Sequence, residues 1–68
     1  MKAEQIRANL NKPVRYVNEQ MGIDADYLLS GAIFRRSDKG FYYQAELTSL
    51  KANKSIVICP LEQISAKE

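Results

Sequence analysis

Hydrophobic and polar positions alternate in two rhythms along the chain. Over residues 2–10 the apolar side chains Ala3, Ile6 and Leu10 recur at helical spacing, with Glu4, Gln5 and Arg7 elsewhere on the wheel. That predicts an N-terminal helix within residues 1–11. Asn11 suits a left-handed cap, and Pro13 prevents the helix from continuing. A helix this short is marginal in water, so it must dock on something.

From Pro13 onward the rhythm is that of strands. "PVRYV" (Pro13 to Val17) is β-branched and aromatic, with proline where a strand can begin. "YLLSGAIFRR" (Tyr27 to Arg36) reads as a long strand interrupted at Gly31 by a bulge or sharp bend. "FYYQAEL" alternates cleanly, with Phe41, Tyr43, Ala45 and Leu47 on one face and Tyr42, Gln44 and Glu46 on the other. "SIVIC" (Ser55 to Cys59) is a nearly continuous apolar run that reads as a strand buried on both faces. Pro60 ends it, and "LEQI" fits one closing turn that folds Leu61 and Ile64 inward. Between the first two strands, Asp24 and Asp26 in "GIDADY" read as a helix start capped by Asp24, or as an acidic loop.

These elements make the fold class α+β and mainly β. The expected architecture is a short N-terminal helix followed by a small antiparallel barrel of four or five bent strands. Closure is the economical way for so small a sheet to hide its edges. The order of parts (strand, longer loop, long bent hairpin, short strand, helical turn) resembles the SH3-like small barrels. That resemblance is one of architecture and implies no activity. At 68 residues the chain has room for one domain, with the helix at 1–11, the barrel at 13–64 and a tail at 65–68. A chain of this size buries only about 60% of its unfolded surface, which makes a partner subunit attractive.

"FRRSDKGFYY" (Phe34 to Tyr43) is the stretch with most to say about function. "SDKG" fits a type I turn with Gly40 at positive φ, giving a three-residue hairpin loop. In that register Ser37 faces Phe41, Arg36 faces Tyr42, Arg35 faces Tyr43 and Phe34 faces Gln44. Phe41, Tyr43 and Ile33 then belong to the core, so that truncating Phe41 should cost about 3–5 kcal/mol. Phe34, Arg36 and Tyr42 share the outer face, where Arg35 and Lys39 add charge. A loop one residue shorter or longer exchanges those faces and turns Phe34 inward. The candidate interaction surface is accordingly Phe34, Arg35, Arg36, Lys39 and Tyr42, unless the N-terminal helix covers Phe34 with Ile6 and Leu10.

Composition narrows the chemistry more than it names it. With 46% hydrophobic and 26% charged residues the chain is of ordinary globular make-up. The net charge of +2 is spread as +3 over residues 1–15, −3 over 16–27, +2 over 28–45 and zero beyond, which falls short of the basic excess of a dedicated nucleic-acid binder. The chain has no histidine and a single cysteine, so it lacks the commonest general base, the commonest metal ligand and any zinc set. Asp24 and Asp26 lack the glycine and distant glutamate of a calcium loop. No catalytic residue, metal or cofactor is implied, and the chain is expected not to be an enzyme. Cys59, between Ile58 and Pro60, is expected to be a buried packing residue slow to react. A lone cysteine, with neither a signal peptide nor an 18-residue apolar span, points to the cytoplasm. The expected function is a small non-catalytic binding module for protein–protein interaction or self-association. The alternative is nucleic-acid binding through the basic, aromatic hairpin at residues 34–43, with rings stacking bases and Arg35, Arg36 and Lys39 meeting phosphates. Neither a membrane partner nor a small-molecule substrate is implied.

Overall fold

The computed structural model describes residues 1–51 and 55–67. It contains one antiparallel five-stranded sheet preceded by a short helix. The strands are β1 (Pro13–Asn18), β2 (Ile23–Ser37), β3 (Gly40–Ser49), β4 (Ile56–Pro60) and β5 (Ile64–Ala66). Their spatial order is β4-β3-β2-β1-β5. The apolar period of residues 2–10 yields less regular helix than it predicts: a 3-10 turn over Ala3–Gln5 runs into a single α-turn, α1 (Ile6–Asn9). Asn11 takes the left-handed conformation (φ 62°) expected of it. Its amide then donates to the Leu29 carbonyl at 2.8 Å, and the Leu29 amide donates back to Lys12 at 3.0 Å, so the helix is tied to β2 as it ends.

The two acidic residues of "GIDADY" lie in β2, not in a loop or helix start. Asn18 accepts the Met21 amide across a 3-10 turn (Glu19–Met21), and Gly22 at φ 68° turns the chain straight back. Ile23, Ala25, Tyr27 and Leu29 then alternate with Asp24 and Asp26, the period-2 signal of a strand. Asp24 receives a bidentate hydrogen bond from Arg15 at 2.8 and 2.6 Å, and Lys67 pairs with Asp26. The guanidinium holds the Asp24 carboxyl below the usual carboxylate range, chiefly through those hydrogen bonds.

At Ser30 the ladder slips by one residue. Leu29 pairs with Leu47, but Gly31 pairs with Glu46, so Ser30 is an extra residue in β2. The Ser30 hydroxyl donates toward Glu46, with Oε2 at 2.9 Å and the backbone carbonyl at 3.1 Å, and accepts from Thr48 Oγ1 at 2.8 Å. These bonds replace the ladder bonds that a bulge forfeits.

The core is one face of the sheet, capped by the helix: Ile6, Val14, Tyr16, Leu29, Ala45, Leu47, Cys59 and Ile64 are buried. Leu61 packs against this cluster from the 3-10 turn Leu61–Gln63, so the closing turn folds inward as expected. The run "SIVIC" is buried on one face only. Val57 and Cys59 turn inward, whereas Ile56 and Ile58 are 61% and 42% exposed. Of the segment expected to be a tail, Ser65 and Ala66 belong to β5, paired with Arg15 and Val14; Glu68 lies outside the described residues, as do residues 52–54 within the 13–64 span.

Among the described residues the sheet stays open, so the closed form of the expected barrel is not seen. β4 and β5 are its two edges, and no β4–β5 pairing joins them among the described residues. They are nonetheless consecutive, linked by the three residues Leu61–Gln63. In a flat sheet of five strands the edges would stand about 19 Å apart, at about 4.8 Å per strand. Three residues of 3-10 helix advance only about 6 Å. The sheet must therefore curl, and the curl wraps it around the core. Among the described residues no helix is long and apolar enough to cross a membrane.

Two outcomes follow. Leu47 is fully buried on the central face, so Leu47→Ala should destabilise the protein by about 2–5 kcal/mol in urea titration. Burial pushes the Cys59 thiol from its ordinary 9.0 up to about 11. Between those values the folded state holds a proton that the unfolded state has lost, so stability should be intact below pH 9.0 and fall as pH rises toward about 11. Cys59→Ala should remove that part of the alkaline decline, as read from denaturation midpoints at several pH values.

Candidate functional site

The β2–β3 hairpin extends beyond the core, and its geometry rests on where the chain places its extra residue. Ser37 pairs with Gly40, leaving a two-residue connection, Asp38–Lys39. Gly40 has φ 123°, the positive-φ glycine expected of this turn, and neither Asp38 nor Lys39 has positive φ. The Ser37 hydroxyl closes the turn, donating to the Gly40 carbonyl at 3.1 Å and accepting the Lys39 amide at 3.3 Å. The expected three-residue loop is therefore corrected: Arg36 faces Phe41, Arg35 faces Tyr42, Phe34 faces Tyr43 and Ile33 faces Gln44.

One step of register exchanges faces, and the candidate residues divide accordingly. Phe34 and Arg36 lie on the core side of the sheet with Phe41 and Tyr43. Arg35 and Tyr42 lie on the opposite side with Gln44, whose Oε1 accepts from Arg35 Nε, and with half-buried Ile33. Lys39 occupies the turn itself. The five candidates thus do not form a single patch. Phe34, Phe41 and Tyr43 do: Phe34 stacks on Phe41 with centroids 5.0 Å apart and planes 14° from parallel, and meets Tyr43 at 4.9 Å and 45°.

These rings share the core face without entering the core. Ala45 and Leu47 are fully buried, but toward the turn the strand leaves the body of the protein, and Tyr43 and Phe41 are 41% and 67% exposed. Phe34, 58% exposed, is not covered by the helix, since Ile6 packs into the core and Leu10 is itself exposed. The expected burial of Phe41 and Tyr43 is thereby overturned. Face alternation tells which side a residue is on, not whether anything lies against that side. Beside the rings runs an open groove, lined by Phe41, Tyr42, Tyr43 and Gln44 of the hairpin and by Ala3, Pro60, Leu61 and Glu62 of the body.

The charges of the molecule separate likewise. Arg15 of β1, Asp24 and Asp26 of β2, and Lys67 just past β5 balance one another as two ion pairs. Arg36 and Lys39 on the hairpin have no acidic partner among the described residues, so the tip is a local cationic surplus next to an apolar cluster. Among the described residues no group of three or more His, Cys, Asp or Glu side chains could hold a metal ion. Searches of protein-family models, of characterised proteins and of solved structures give no match to this chain.

Because Phe41 stands in solvent against a single stacked neighbour, Phe41→Ala should cost at most about 1 kcal/mol in urea titration. A loss approaching that of a buried phenylalanine, about 3–5 kcal/mol, would contradict this placement of the ring.

Proposed function

We propose that this chain is a non-catalytic binding module of small SH3-like barrel type, and that it docks a partner protein on the aromatic face of its β2–β3 hairpin. The observation that carries the reading is the ring cluster: Phe34, Phe41 and Tyr43 in mutual contact, each at least 41% exposed, in a chain with few large side chains to spare for its core. Contiguous exposed aromatic surface rimmed by polar groups is typical of interaction sites, and rings offer large contact area at little conformational cost. The groove between the rings and Pro60 and Leu61 gives an extended peptide a wall on either side. Arg36 and Lys39 favour a segment with acidic residues flanking its apolar anchors.

Nucleic-acid binding is the second reading, favoured by the unpaired cations at the tip. It ranks lower because Phe34 already stacks on Phe41, and because Arg35 and Tyr42 are on the other face. A base would find fewer free ring faces and a divided set of phosphate contacts.

Both readings are tested on one folded sample. A displayed random-peptide library selected on the protein should yield sequences with apolar anchors and acidic flanks. Their binding should weaken at least about tenfold, which is about 1.4 kcal/mol, in Phe41→Ala, with circular dichroism unchanged. Titration with a short single-stranded oligothymidylate at low salt should give no micromolar binding. Micromolar oligonucleotide affinity lost on neutralising Arg35, Arg36 and Lys39 would reverse the ranking, and selected peptides indifferent to Phe41 would remove the first reading.

A further inference from the structure

We propose that the free edge of β4 pairs antiparallel with β4 of a second copy of this chain, giving a two-fold dimer with one continuous sheet. The backbone supplies the first reason. The Ser49 amide donates to the Ser55 carbonyl at 2.9 Å, which makes those two residues a hydrogen-bonded pair at the start of the β3–β4 ladder. Hydrogen-bonded and non-hydrogen-bonded pairs alternate along an antiparallel ladder. Val57 opposite Leu47 and Cys59 opposite Ala45 therefore bond to β3, whereas Ile56, Ile58 and Pro60 direct their backbone groups at the open edge. Proline is tolerated in a sheet where its missing N–H would have faced outward, and Pro60 stands at such a position.

The side chains supply the second. Edge strands that must stay solitary carry lysine, glutamate or another charge as protection. Residues 55–60, "SIVICP", carry none. The residues whose amides face outward, Ile56 and Ile58, are also the ones whose side chains stand 61% and 42% exposed on the outer face. An uncharged strand is self-complementary. With Val57 on the two-fold axis, Ile56 of one copy lies opposite Ile58 of the other, and each copy offers two donors and two acceptors with no proline in the exchange. The four isoleucine side chains then meet on one face.

The β5 edge is a poorer mate for β4, because the Met1 amine already donates to the Ile64 carbonyl at 2.7 Å and to Leu61 at 2.8 Å. Such a dimer leaves the hairpins of both copies free, so it does not depend on what they bind.

Sedimentation of the full chain over a range of concentrations, together with native-state amide exchange, tests the proposal. The expected mass at high concentration is twice that of one chain, and the Ile56 and Ile58 amides should gain protection as concentration rises. Ile58→Pro deletes an outward donor but leaves the β3 ladder intact, and should shift the species to monomer. Ile56→Lys, which places a charge in the isoleucine cluster, should do the same and covers the case in which the proline variant does not fold. A monomer at every concentration, a larger assembly, or a dimer lost in Phe41→Ala but kept in both β4 variants would overturn the proposal.

Discussion

The extra residue at Ser30 is the constraint on which the rest of the structure depends. Before it, β2 sends Tyr27 and Leu29 to the core; after it, the same face receives Ala32, Phe34 and Arg36. Without the slip, Phe34 would share a face with Glu46 and Gln44, and the three rings could not meet. The hydroxyl of Ser30, held by Glu46 and Thr48, makes the slip affordable. Gly31 makes it close: a Cβ there would stand 3.2 Å from Glu46 Oε2, so a side chain would compete with the carboxylate that braces the bulge.

The curl of the sheet and the exposure of its hairpin are two sides of one economy. Two long strands, β2 and β3, provide both the centre of the core and an arm that leaves it. Where the sheet curls around Leu29, Ala45, Leu47 and Cys59, burial is complete. Beyond Ala45 the hairpin leaves the buried core, and the rings partly cover one another instead. A stacked trio loses less apolar surface to water than three separate rings would, but each ring remains open on its outer side.

Much of this fold is legible in the residues, and the illegible parts have physical causes. Asn11 and Pro13 mark the helix end, Gly31 marks the irregularity in β2, Gly40 marks the turn and Pro60 ends β4, because each has a conformational restriction or freedom that few other residues share. The strand at Asp24 and Asp26 was legible too, from the alternation Ile23, Ala25, Tyr27, but paired carboxylates between strands read more readily as a loop. Register was not legible. A glycine at positive φ after "SDK" is compatible with loops of two or three residues, and the choice depends on bonds made by Ser37 and on the bulge at Ser30. Exposure of Phe41 and the open outer face of β4 were not legible either, because periodicity reports sides and not neighbours. Alternation alone therefore puts Phe34 and Arg36 on the face opposite Phe41 and Tyr43, whereas the register puts the four on one face.

The central claim is that the bulge and the two-residue connection together bring Phe34, Phe41 and Tyr43 onto one open face. Nuclear Overhauser contacts in the hairpin measure this directly. The account predicts cross-strand contacts between Arg36 and Phe41 and between Phe34 and Tyr43, with ring-to-ring contacts from Phe34 to both Phe41 and Tyr43. Contacts that pair Arg36 with Tyr42 and Phe34 with Gln44 would place Phe34 on the opposite face from Phe41 and contradict it.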